Sequence, residues 1–360
     1  MTANYAALTV YAGCVKPLPT EDLNHILRHT APLWERARGR RVFLSGGTGF
    51  FGAWLLESLA HCNRALGLGV RATVLSRDPA AFLARMPHLA GEPALAFLQG
   101  DVRDFAFPAG GFDYVIHGAA PTNLDAARRP VELMRVLLGG GERMVEFAEA
   151  CGARSFLLVS SGAVYGQQPE AMTHIAEDYC GGPDWLDADA VYAEGKRVCE
   201  QRTALLAGRG AVHCAIARCF TFVGPHLPLD QHFAIGNFIR DALAGRTITV
   251  RGDGTPVRSY LYAADLAVWL WTLLLRAPEL AANLAVFNVG SCERVSVREL
   301  AERVAAAIDP GLRVEVLGES ALGAGRVQYV PDVRKAETEL GLRAWIGLDE
   351  AIRRTAGWWA

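Results

Sequence analysis

The sequence has little excess charge of either sign and no cysteine pair with metal-binding spacing. Its 360 residues carry a formal net charge of −2, which favours neither a nucleic-acid-binding surface nor a disordered acidic tail. The eight cysteines stand singly, without a CxxC motif or a cysteine–histidine cluster, so a disulfide framework and a zinc site are both disfavoured. We therefore expect no metal, no nucleic-acid partner and a reducing, cytoplasmic compartment.

Long apolar segments are also missing. The most apolar run, Leu266 to Leu275, is too short to cross a hydrocarbon layer of about 30 Å, and it predicts a buried helix. The N-terminus lacks the basic stretch and apolar core of a signal peptide. With 51% hydrophobic residues the chain can bury one large core or two fused ones, so we expect a globular protein with no membrane partner.

What the sequence does contain is a regular alternation of short apolar runs with helix-length segments. Near-continuous apolar strands between helices predict a doubly wound parallel sheet covered on both faces, which is the Rossmann-type α/β class. The predicted strands are RVFLSG, RATVLSR, ALAFLQGD, FDYVIHGAA, SFLLVSSG, VHCAIARCF and, later in the chain, FNVG.

Changes in composition and in hydrophobic pattern divide the chain into three parts. Residues 1–39 form an N-terminal extension with a helix over Glu21–Arg38, for which Thr20 is the expected N-cap. Residues 40–220 carry the alternating pattern. Loops rich in proline, glycine and aspartate begin after about Phe220, so residues 221–360 predict a smaller C-terminal α/β domain that binds substrate, with segments (about 255–292) returning to the first domain.

Three evenly spaced glycines, Gly46, Gly49 and Gly52, join the first strand to the first helix. In a doubly wound sheet one such glycine permits a tight turn, one lets the backbone approach a pyrophosphate, and one lets the helix pack on the strand. The free N–H groups at the helix start favour negative charge. The strand–turn–helix context predicts a dinucleotide site in residues 40–220 rather than a purely structural glycine turn.

The end of the second strand bears on the choice between NAD and NADP. Ser76 and Arg77 stand at its tip, and Asp78 follows. An arginine there can bind the 2′-phosphate of NADP, whereas a shift of one residue would place Asp78 at the ribose of NAD. Arg77 can also be an ordinary solvated side chain. We expect NAD(P), with NADP slightly favoured.

Tyr192 and Lys196 form a YxxxK motif and share one face of a predicted helix. A nearby ammonium group favours the phenolate form of tyrosine, and moving a phenol pKa from about 10 to about 7 requires roughly 4 kcal/mol. The phenolate would remove a hydroxyl proton while hydride leaves the same carbon for the cofactor. The alternative is a chance pair on a surface helix.

The GxxGxxG spacing followed by YxxxK resembles the short-chain dehydrogenase/reductase superfamily, and the chain from about Arg40 to Trp359 resembles its extended branch, the nucleotide-sugar epimerase/dehydratase family. GDVRD and HGAA match two further motifs of that branch. The resemblance implies a nucleoside-diphosphate sugar as substrate. It also implies a cofactor site made of Gly46, Thr48, Gly49, Phe50, Phe51, Gly52, Arg77, Asp101, Val102, Ala119, Ala120, Tyr192 and Lys196.

The resemblance further assigns Ser161, in LLVSSGAVYG, as the third catalytic residue and a substrate contact. The 4,6-dehydratases carry Asp-Glu at the next two positions and the uronic-acid decarboxylases keep a Glu, but here they are Gly162 and Ala163. Water elimination then lacks its acid and base. The pattern favours simple hydride transfer at C4, as in a 4-ketoreductase or 4-epimerase. A dehydratase, a decarboxylase or a non-catalytic NAD(P)-binding subunit are the alternatives.

In the C-terminal half, RCFTFVGP and GDGTPVRSYLYAADL resemble the sugar-nucleotide-binding segments of the family. They imply Thr221, which replaces the usual asparagine, and Arg258, which would clamp the diphosphate. An ion pair of Arg258 with Asp253 or Asp265 is the alternative. Leu137 replaces another family asparagine, so proton relay near the lysine is expected to differ.

Family members commonly pair through two helices, which correspond here to Glu142–Cys151 and Tyr192–Leu206. Both segments carry apolar residues, which either face the sheet alone or also form a second apolar face. We expect a homodimer.

Overall fold

The computed structural model describes residues 15–121, 128–231, 233–318 and 327–360, so residues 1–14 of the predicted extension lie outside it. Helices and strands alternate through the first part of the chain. They are α1 (Thr20–Thr30), β1 (Arg41–Ser45), α2 (Phe50–Leu66), β2 (Arg71–Ser76), α3 (Pro79–Arg85), β3 (Leu95–Gln99), β4 (Tyr114–His117), α4 (Pro130–Ala150), β5 (Ser155–Ser161), α5 (Val191–Gly208) and β6 (His213–Cys219).

The second part of the described chain has shorter strands. Its elements are β7 (Phe222–Val223), α6 (Ala234–Leu243), β8 (Ile248–Val250), β9 (Val257–Arg258), β10 (Leu261–Tyr262), α7 (Ala263–Arg276), β11 (Leu284–Val289), β12 (Val295–Ser296), α8 (Val297–Ile308), β13 (Val314–Val316), β14 (Gln328–Tyr329), α9 (Arg334–Leu340) and α10 (Leu348–Trp359).

A seven-stranded sheet in the order β3-β2-β1-β4-β5-β6-β11 forms the centre of the protein. All of its neighbouring strands run parallel. Each predicted strand is present, and the Rossmann-type α/β class is confirmed. The strand order reverses between β1 and β4, and in such sheets ligands bind in the crevice at the carboxyl ends of these strands.

Two apolar layers cover the sheet because successive strand residues point to opposite faces. Val42 and Leu44 of β1 pack with α2 and α7, while Phe43 packs with α4 and α5. Helix α7 is buried from Ala263 to Leu275, as its apolar composition predicts. Among the described residues, no helix combines the length and apolarity needed to cross a membrane.

The helix predicted over Glu21–Arg38 is wrong in extent. Its α-helical part ends at Thr30 and continues as a 3-10 helix over Ala31–Ala37, because Pro32 cannot donate the backbone hydrogen bond that an α-helix needs there. The residue at the N-cap is Pro19, so Thr20 is the first helical residue instead of the cap. Burial of Ile26 and Trp34 fixes this segment against the α2–α7 layer.

The later segments build small sheets beside the central one. Strand β9 lies between β12, which is antiparallel to it, and β14, which is parallel. This register sets Tyr329 of β14 opposite Arg258 of β9. Helix α7 and strand β11, within the segment predicted to return, both join the central unit. The domain boundary near residue 220 stays a prediction.

Helices α4 and α5 pack tightly against each other where α4 carries successive glycines. A Cβ atom on Gly141 would lie 2.7 Å from Cys199 Sγ, and one on Gly140 would lie 2.8 Å from Val102 Cγ1. On the outer side of these helices, Leu138 and Leu205 are 38% and 59% exposed. The homodimer expected through this pair of helices stays a prediction.

Candidate active site

The turn between β1 and α2 is built from glycines that the fold itself requires. Gly46 has a φ of +79°, and a Cβ atom there would lie 2.4 Å from the carbonyl carbon of Gly118. A Cβ atom on Gly52 would lie 2.2 Å from the carbonyl oxygen of Gly47. The first glycine therefore permits the turn and its approach to the β4 end, and the third permits the helix to pack on the turn.

Gly49 differs, because no protein atom requires a glycine there. Its φ is −92°, and the nearest atom to a Cβ would be the Gly46 carbonyl oxygen at 3.6 Å, an ordinary contact distance. The residue is exposed and forms the N-cap of α2, and no side chain caps this helix. A side chain at Gly49 would fill open space at a helix N-terminus, and that space fits the pyrophosphate of a dinucleotide.

The other residues predicted around this turn lie beside it. The Thr48 carbonyl oxygen accepts a hydrogen bond from Arg85 Nη2 at 2.9 Å. Phe50 and Phe51 open α2, and the Phe51 ring contacts Phe222 edge-on at 5.0 Å between centroids. Across the turn, the predicted residues Ala119 and Ala120 are partly buried at the end of β4.

The tip of β2 faces the turn that follows β3. Arg77 is exposed, and its charge helps to lower the pKa of Asp101, although hydrogen bonding from Arg103 is the largest cause. Asp78 Oδ1 accepts a hydrogen bond from Ala81 N at 2.9 Å and caps α3. The predicted residue Val102 is buried. Arg77 and Arg103 are thus both exposed at this end of the sheet, with Arg103 paired to Asp101, while one oxygen of Asp78 holds a helix.

Ser161, Tyr192 and Lys196 come together at the carboxyl end of β5 and the start of α5. Burial dominates the pKa of Tyr192 and raises it, and Ser161 lies close enough to oppose this shift through its hydroxyl. Lys196 is 2% exposed, and its Nζ donates to the Val159 carbonyl oxygen at 2.7 Å. The Ser161 Oγ accepts from Ala163 N at 3.2 Å and faces the same crevice as the glycine turn.

The expected lowering of the Tyr192 pKa is absent from the protein alone. Burial outweighs the Ser161 hydrogen bond and raises the pKa of Tyr192 to about 12. Burial also lowers the pKa of Lys196. Nearby His117 is neutral because burial lowers its pKa to about 3, and its Nδ1 contacts Ser45 Oγ at 2.9 Å. Tyr192 is therefore protonated at neutral pH until a further positive charge enters the site.

Sequence reasoning missed two aromatic side chains that contact this centre. A Cβ atom on Gly162 would lie 2.7 Å from the Tyr329 hydroxyl oxygen and 2.7 Å from Phe220 Cζ. The centroids of these two rings lie 4.6 Å apart, and the rings are tilted by 34° to each other. Position 162 therefore holds no carboxylate, and a side chain there would have to displace these two rings. The short strand that carries Tyr329 gave no signal of this contact.

Leu137, which replaces a family asparagine, is matched by a glycine on the facing helix. A Cβ atom on Gly195 would lie 2.5 Å from Leu137 Cδ1, so Leu137 packs directly over the residue that precedes Lys196. The leucine is buried. This pair explains how an apolar residue is accommodated beside Lys196.

The predicted substrate residues lie on neighbouring segments of the smaller sheets. The Thr221 hydroxyl donates to the Ser259 carbonyl oxygen and holds its loop against the Arg258 strand. Arg258 Nη1 donates to the Val257 carbonyl oxygen at 2.9 Å, and its guanidinium carbon lies 5.9 Å from the centre of the Tyr329 ring.

The alternative ion pair of Arg258 with Asp265 is wrong. Asp265 Oδ1 lies 2.7 Å from His25 Nε2. The other carboxylate oxygen accepts from the backbone N–H groups of Trp345 at 2.9 Å and Ile346 at 3.0 Å. Asp265 thus anchors α1 and the C-terminal segment to α7 instead of facing Arg258.

Comparisons with known proteins agree with this geometry. The model of the NAD-dependent epimerase/dehydratase family matches residues 42–290. The chain is 30% identical over 316 residues to UDP-glucuronic acid decarboxylase 1 of Arabidopsis thaliana, covering 87% of this chain and 68% of the relative.

Two solved structures show the same fold. MoeE5 in complex with UDP-glucose and NAD is 25% identical, with a TM-score of 0.70 over 88% of this chain and 98% of that one. UDP-glucose 4-epimerase of Thermotoga maritima is 19% identical, with a TM-score of 0.72 over 88% and 98%. The chain belongs to the NAD-dependent epimerase/dehydratase family and is a nucleotide-sugar enzyme of the extended short-chain dehydrogenase/reductase type.

Proposed function

We propose that this enzyme transfers hydride at C4 of a nucleoside-diphosphate sugar without eliminating water or carbon dioxide, as a 4-epimerase or a 4-ketoreductase. The observation that carries the proposal is the neighbourhood of Gly162. Neither Gly162 nor Ala163 supplies a carboxylate, and the ends of the Tyr329 and Phe220 side chains occupy the space beside Gly162, which supports the proposal. Ser161, Tyr192 and Lys196 are all present, and they suffice for oxidation or reduction at one carbon.

The residues have distinct tasks in this reaction. Ser161 holds the C4 oxygen of the sugar, and Tyr192 exchanges a proton with that oxygen. With its pKa at about 12, Tyr192 is ready to donate its proton in the reducing direction. When bound, the dinucleotide accepts or returns the hydride, and its oxidised ring supplies the positive charge that favours the Tyr192 phenolate. The ammonium group of Lys196, one turn further along α5, contributes further positive charge that favours the phenolate.

A second candidate is decarboxylation of a nucleotide-linked uronic acid, which the 30% identity to a plant UDP-glucuronic acid decarboxylase favours. The enzymes of that class keep the glutamate that Gly162 and Ala163 lack. We infer that this chain retains the common oxidation at C4 without the residue for the later step.

Product analysis with a panel of nucleotide sugars separates these activities. The purified protein is incubated with UDP- and dTDP-hexoses, UDP-glucuronic acid and 4-keto-6-deoxy sugars, with NAD, NADP or NADPH. Nicotinamide absorbance and product NMR are followed. A C4 epimer or a C4 alcohol supports the proposal, whereas a pentose with released carbon dioxide, or a 4-keto-6-deoxy product, contradicts it.

For the cofactor we propose NADP over NAD, on the exposed Arg77 at the tip of β2. Arg77→Ala is expected to weaken NADP binding by roughly 1.5–3 kcal/mol, the range for a hydrogen bond to a charged group. NAD binding stays nearly unchanged because NAD lacks the 2′-phosphate. Calorimetric titration of both dinucleotides gives the result, with Arg71→Ala at the opposite end of β2 as the control. Equal losses for the two cofactors, or none, would assign the ribose to Asp78 and favour NAD.

For the substrate we propose that Arg258 binds the diphosphate common to nucleotide sugars. Arg258→Ala should weaken binding of a nucleoside diphosphate by roughly 1.5–3 kcal/mol. Arg258→Lys should restore only part of it, because an ammonium group cannot make the forked contact. Dinucleotide binding should not change, since that site lies at the glycine turn.

Calorimetric titration of UDP and dTDP measures this effect. Arg251→Ala is the matched control, because Arg251 is exposed and precedes the same Gly-Asp-Gly turn. Wild-type affinity in Arg258→Ala would remove Arg258 from the site.

A further inference from the structure

Tyr329 reaches from the small sheet into the catalytic centre. Its strand pairs with β9 so that Tyr329 lies opposite Arg258. Its hydroxyl oxygen lies within 2.7 Å of where a Cβ on Gly162 would be, directly after Ser161. The Tyr329 side chain therefore lies between the residue proposed for the diphosphate and the residue proposed for C4.

The Tyr329 hydroxyl makes a long hydrogen bond to the backbone, and the Ser161 side chain lies close to it. It donates to the Cys219 carbonyl oxygen at 3.4 Å, longer than the 2.5–3.0 Å of an ordinary O–H···O bond. Hydrogen bonding by Ser161 lowers the pKa of Tyr329, just as it lowers the pKa of Tyr192, although burial raises both overall. Both tyrosines thus lie close enough to Ser161 for its hydroxyl to affect their pKa values.

The hydrogen-bonding capacity of Ser161 determines where its single hydroxyl proton points. A serine hydroxyl accepts two hydrogen bonds and donates one. Ala163 N–H already occupies one acceptor position of Ser161 Oγ. If Tyr329 donates to the second, the only proton of Ser161 is left to point at the oxygen that Ser161 shares with Tyr192.

We propose that Tyr329 is a positioning residue of the hydride transfer, which donates to Ser161 Oγ and thereby directs the Ser161 proton toward Tyr192 and the C4 oxygen. This proposal rests on the proposed function, since it assigns Ser161 and Tyr192 to the reaction at C4. It also gives Gly162 a purpose: the missing side chain leaves the opening through which the Tyr329 hydroxyl reaches Ser161.

Tyr329→Phe tests the proposal, because it removes the hydroxyl and keeps the ring that packs against Phe220. Tyr179→Phe is the matched control: Tyr179 packs against the same small cluster as Tyr329, but its hydroxyl lies beside Gly181 instead of Gly162. Steady-state kinetics give kcat, KM and the pH profile. Thermal unfolding reports stability.

A second measurement does not depend on turnover. Tyr192 is titrated by ultraviolet phenolate absorbance with the oxidised dinucleotide bound and no sugar present. The titration compares wild type and Tyr329→Phe, and the Tyr192→Phe form of each is subtracted to isolate Tyr192.

In Tyr329→Phe we expect kcat to fall about tenfold, as for the loss of one hydrogen bond, with an unchanged KM for the nucleotide sugar and an unchanged thermal midpoint. The Tyr192 phenolate should form at higher pH than in wild type, because Ser161 no longer directs its proton there. Tyr179→Phe should match wild type. An unchanged Tyr192 titration overturns the proposal, and so does a fall in kcat accompanied by an equal loss of stability. If wild type turns over no nucleotide sugar, the proposed function fails, and the titration still decides the role of Tyr329.

Discussion

Replacing Tyr192 with phenylalanine should lower turnover by about two to four orders of magnitude, the usual loss when a general acid–base is removed. The substitution keeps the ring and removes only the hydroxyl that lies beside Ser161. Affinities for the dinucleotide and the nucleotide sugar should survive, because the glycine turn and Arg258 are untouched. Turnover and calorimetric binding are measured on the same preparation.

Tyr179→Phe is the control for this variant too, since it removes a tyrosine hydroxyl near the site without touching Ser161. An activity of Tyr192→Phe close to wild type would take Tyr192 out of the mechanism. The assignment of Lys196 and Ser161 to catalysis would fall with it.

The second large effect is expected at two glycines of the same turn, which should respond in opposite ways. A Cβ on Gly52 would meet the Gly47 carbonyl oxygen at 2.2 Å, so Gly52→Ala must displace backbone and should lower the thermal midpoint. A Cβ on Gly49 would meet nothing closer than 3.6 Å. Gly49→Ala should therefore keep the stability of wild type and lose dinucleotide affinity by about tenfold to a hundredfold, which corresponds to a clash costing about 1–3 kcal/mol.

Thermal unfolding without ligand and calorimetric titration of NAD and NADP measure the two effects separately, and each variant serves as the control for the other. If Gly49→Ala binds the dinucleotide as wild type does, the pyrophosphate does not lie at this turn. If Gly52→Ala is as stable as wild type, the packing of α2 against Gly47 is not needed for folding.

The central sheet could be predicted from the sequence because its strands are short apolar runs with both faces buried. Phe43 and its neighbours Val42 and Leu44 all had to be apolar, since they serve opposite layers. The glycine turn was predictable for a related reason. The positive φ at Gly46 and the close contact at Gly52 both require glycine, so the sequence shows them directly. The break of the first helix at Pro32 was also visible in the sequence, but the apolar pattern around it concealed the change of helix type.

The rest of the site depended on contacts between distant segments, which residue spacing does not encode. Tyr329 lies on a two-residue strand whose register with Arg258 only the folded sheet sets. The pKa of Tyr192 depends on how deeply its hydroxyl is buried, and the YxxxK motif carries no information on that depth. The fit of Leu137 against Gly195 likewise requires two helices to be placed side by side.

The similarity to a uronic-acid decarboxylase and the residues around Gly162 favour different final steps after a common oxidation at C4. The sequence identity of 30% to a decarboxylase extends over 87% of this chain and describes the chain as a whole. The contacts of Gly162 with Tyr329 and Phe220 lie directly after Ser161, the residue proposed to hold the C4 oxygen. We therefore give the local contacts more weight in choosing between hydride transfer alone and decarboxylation.

The fate of the hydrogen at C4 tests the central claim most directly. A nucleotide sugar that carries deuterium at C4 and is turned over in the panel experiment is mixed with stoichiometric enzyme and oxidised dinucleotide. The bound dinucleotide and the sugar are then analysed by NMR and mass spectrometry. The account predicts that deuterium moves from C4 to the nicotinamide ring, and that the sugar keeps all its carbon and oxygen atoms. A nicotinamide ring that never carries deuterium while the sugar is turned over, or a sugar that loses carbon dioxide or water, would contradict it. Deuterium at C4 of the product does not, because a 4-epimerase returns it there.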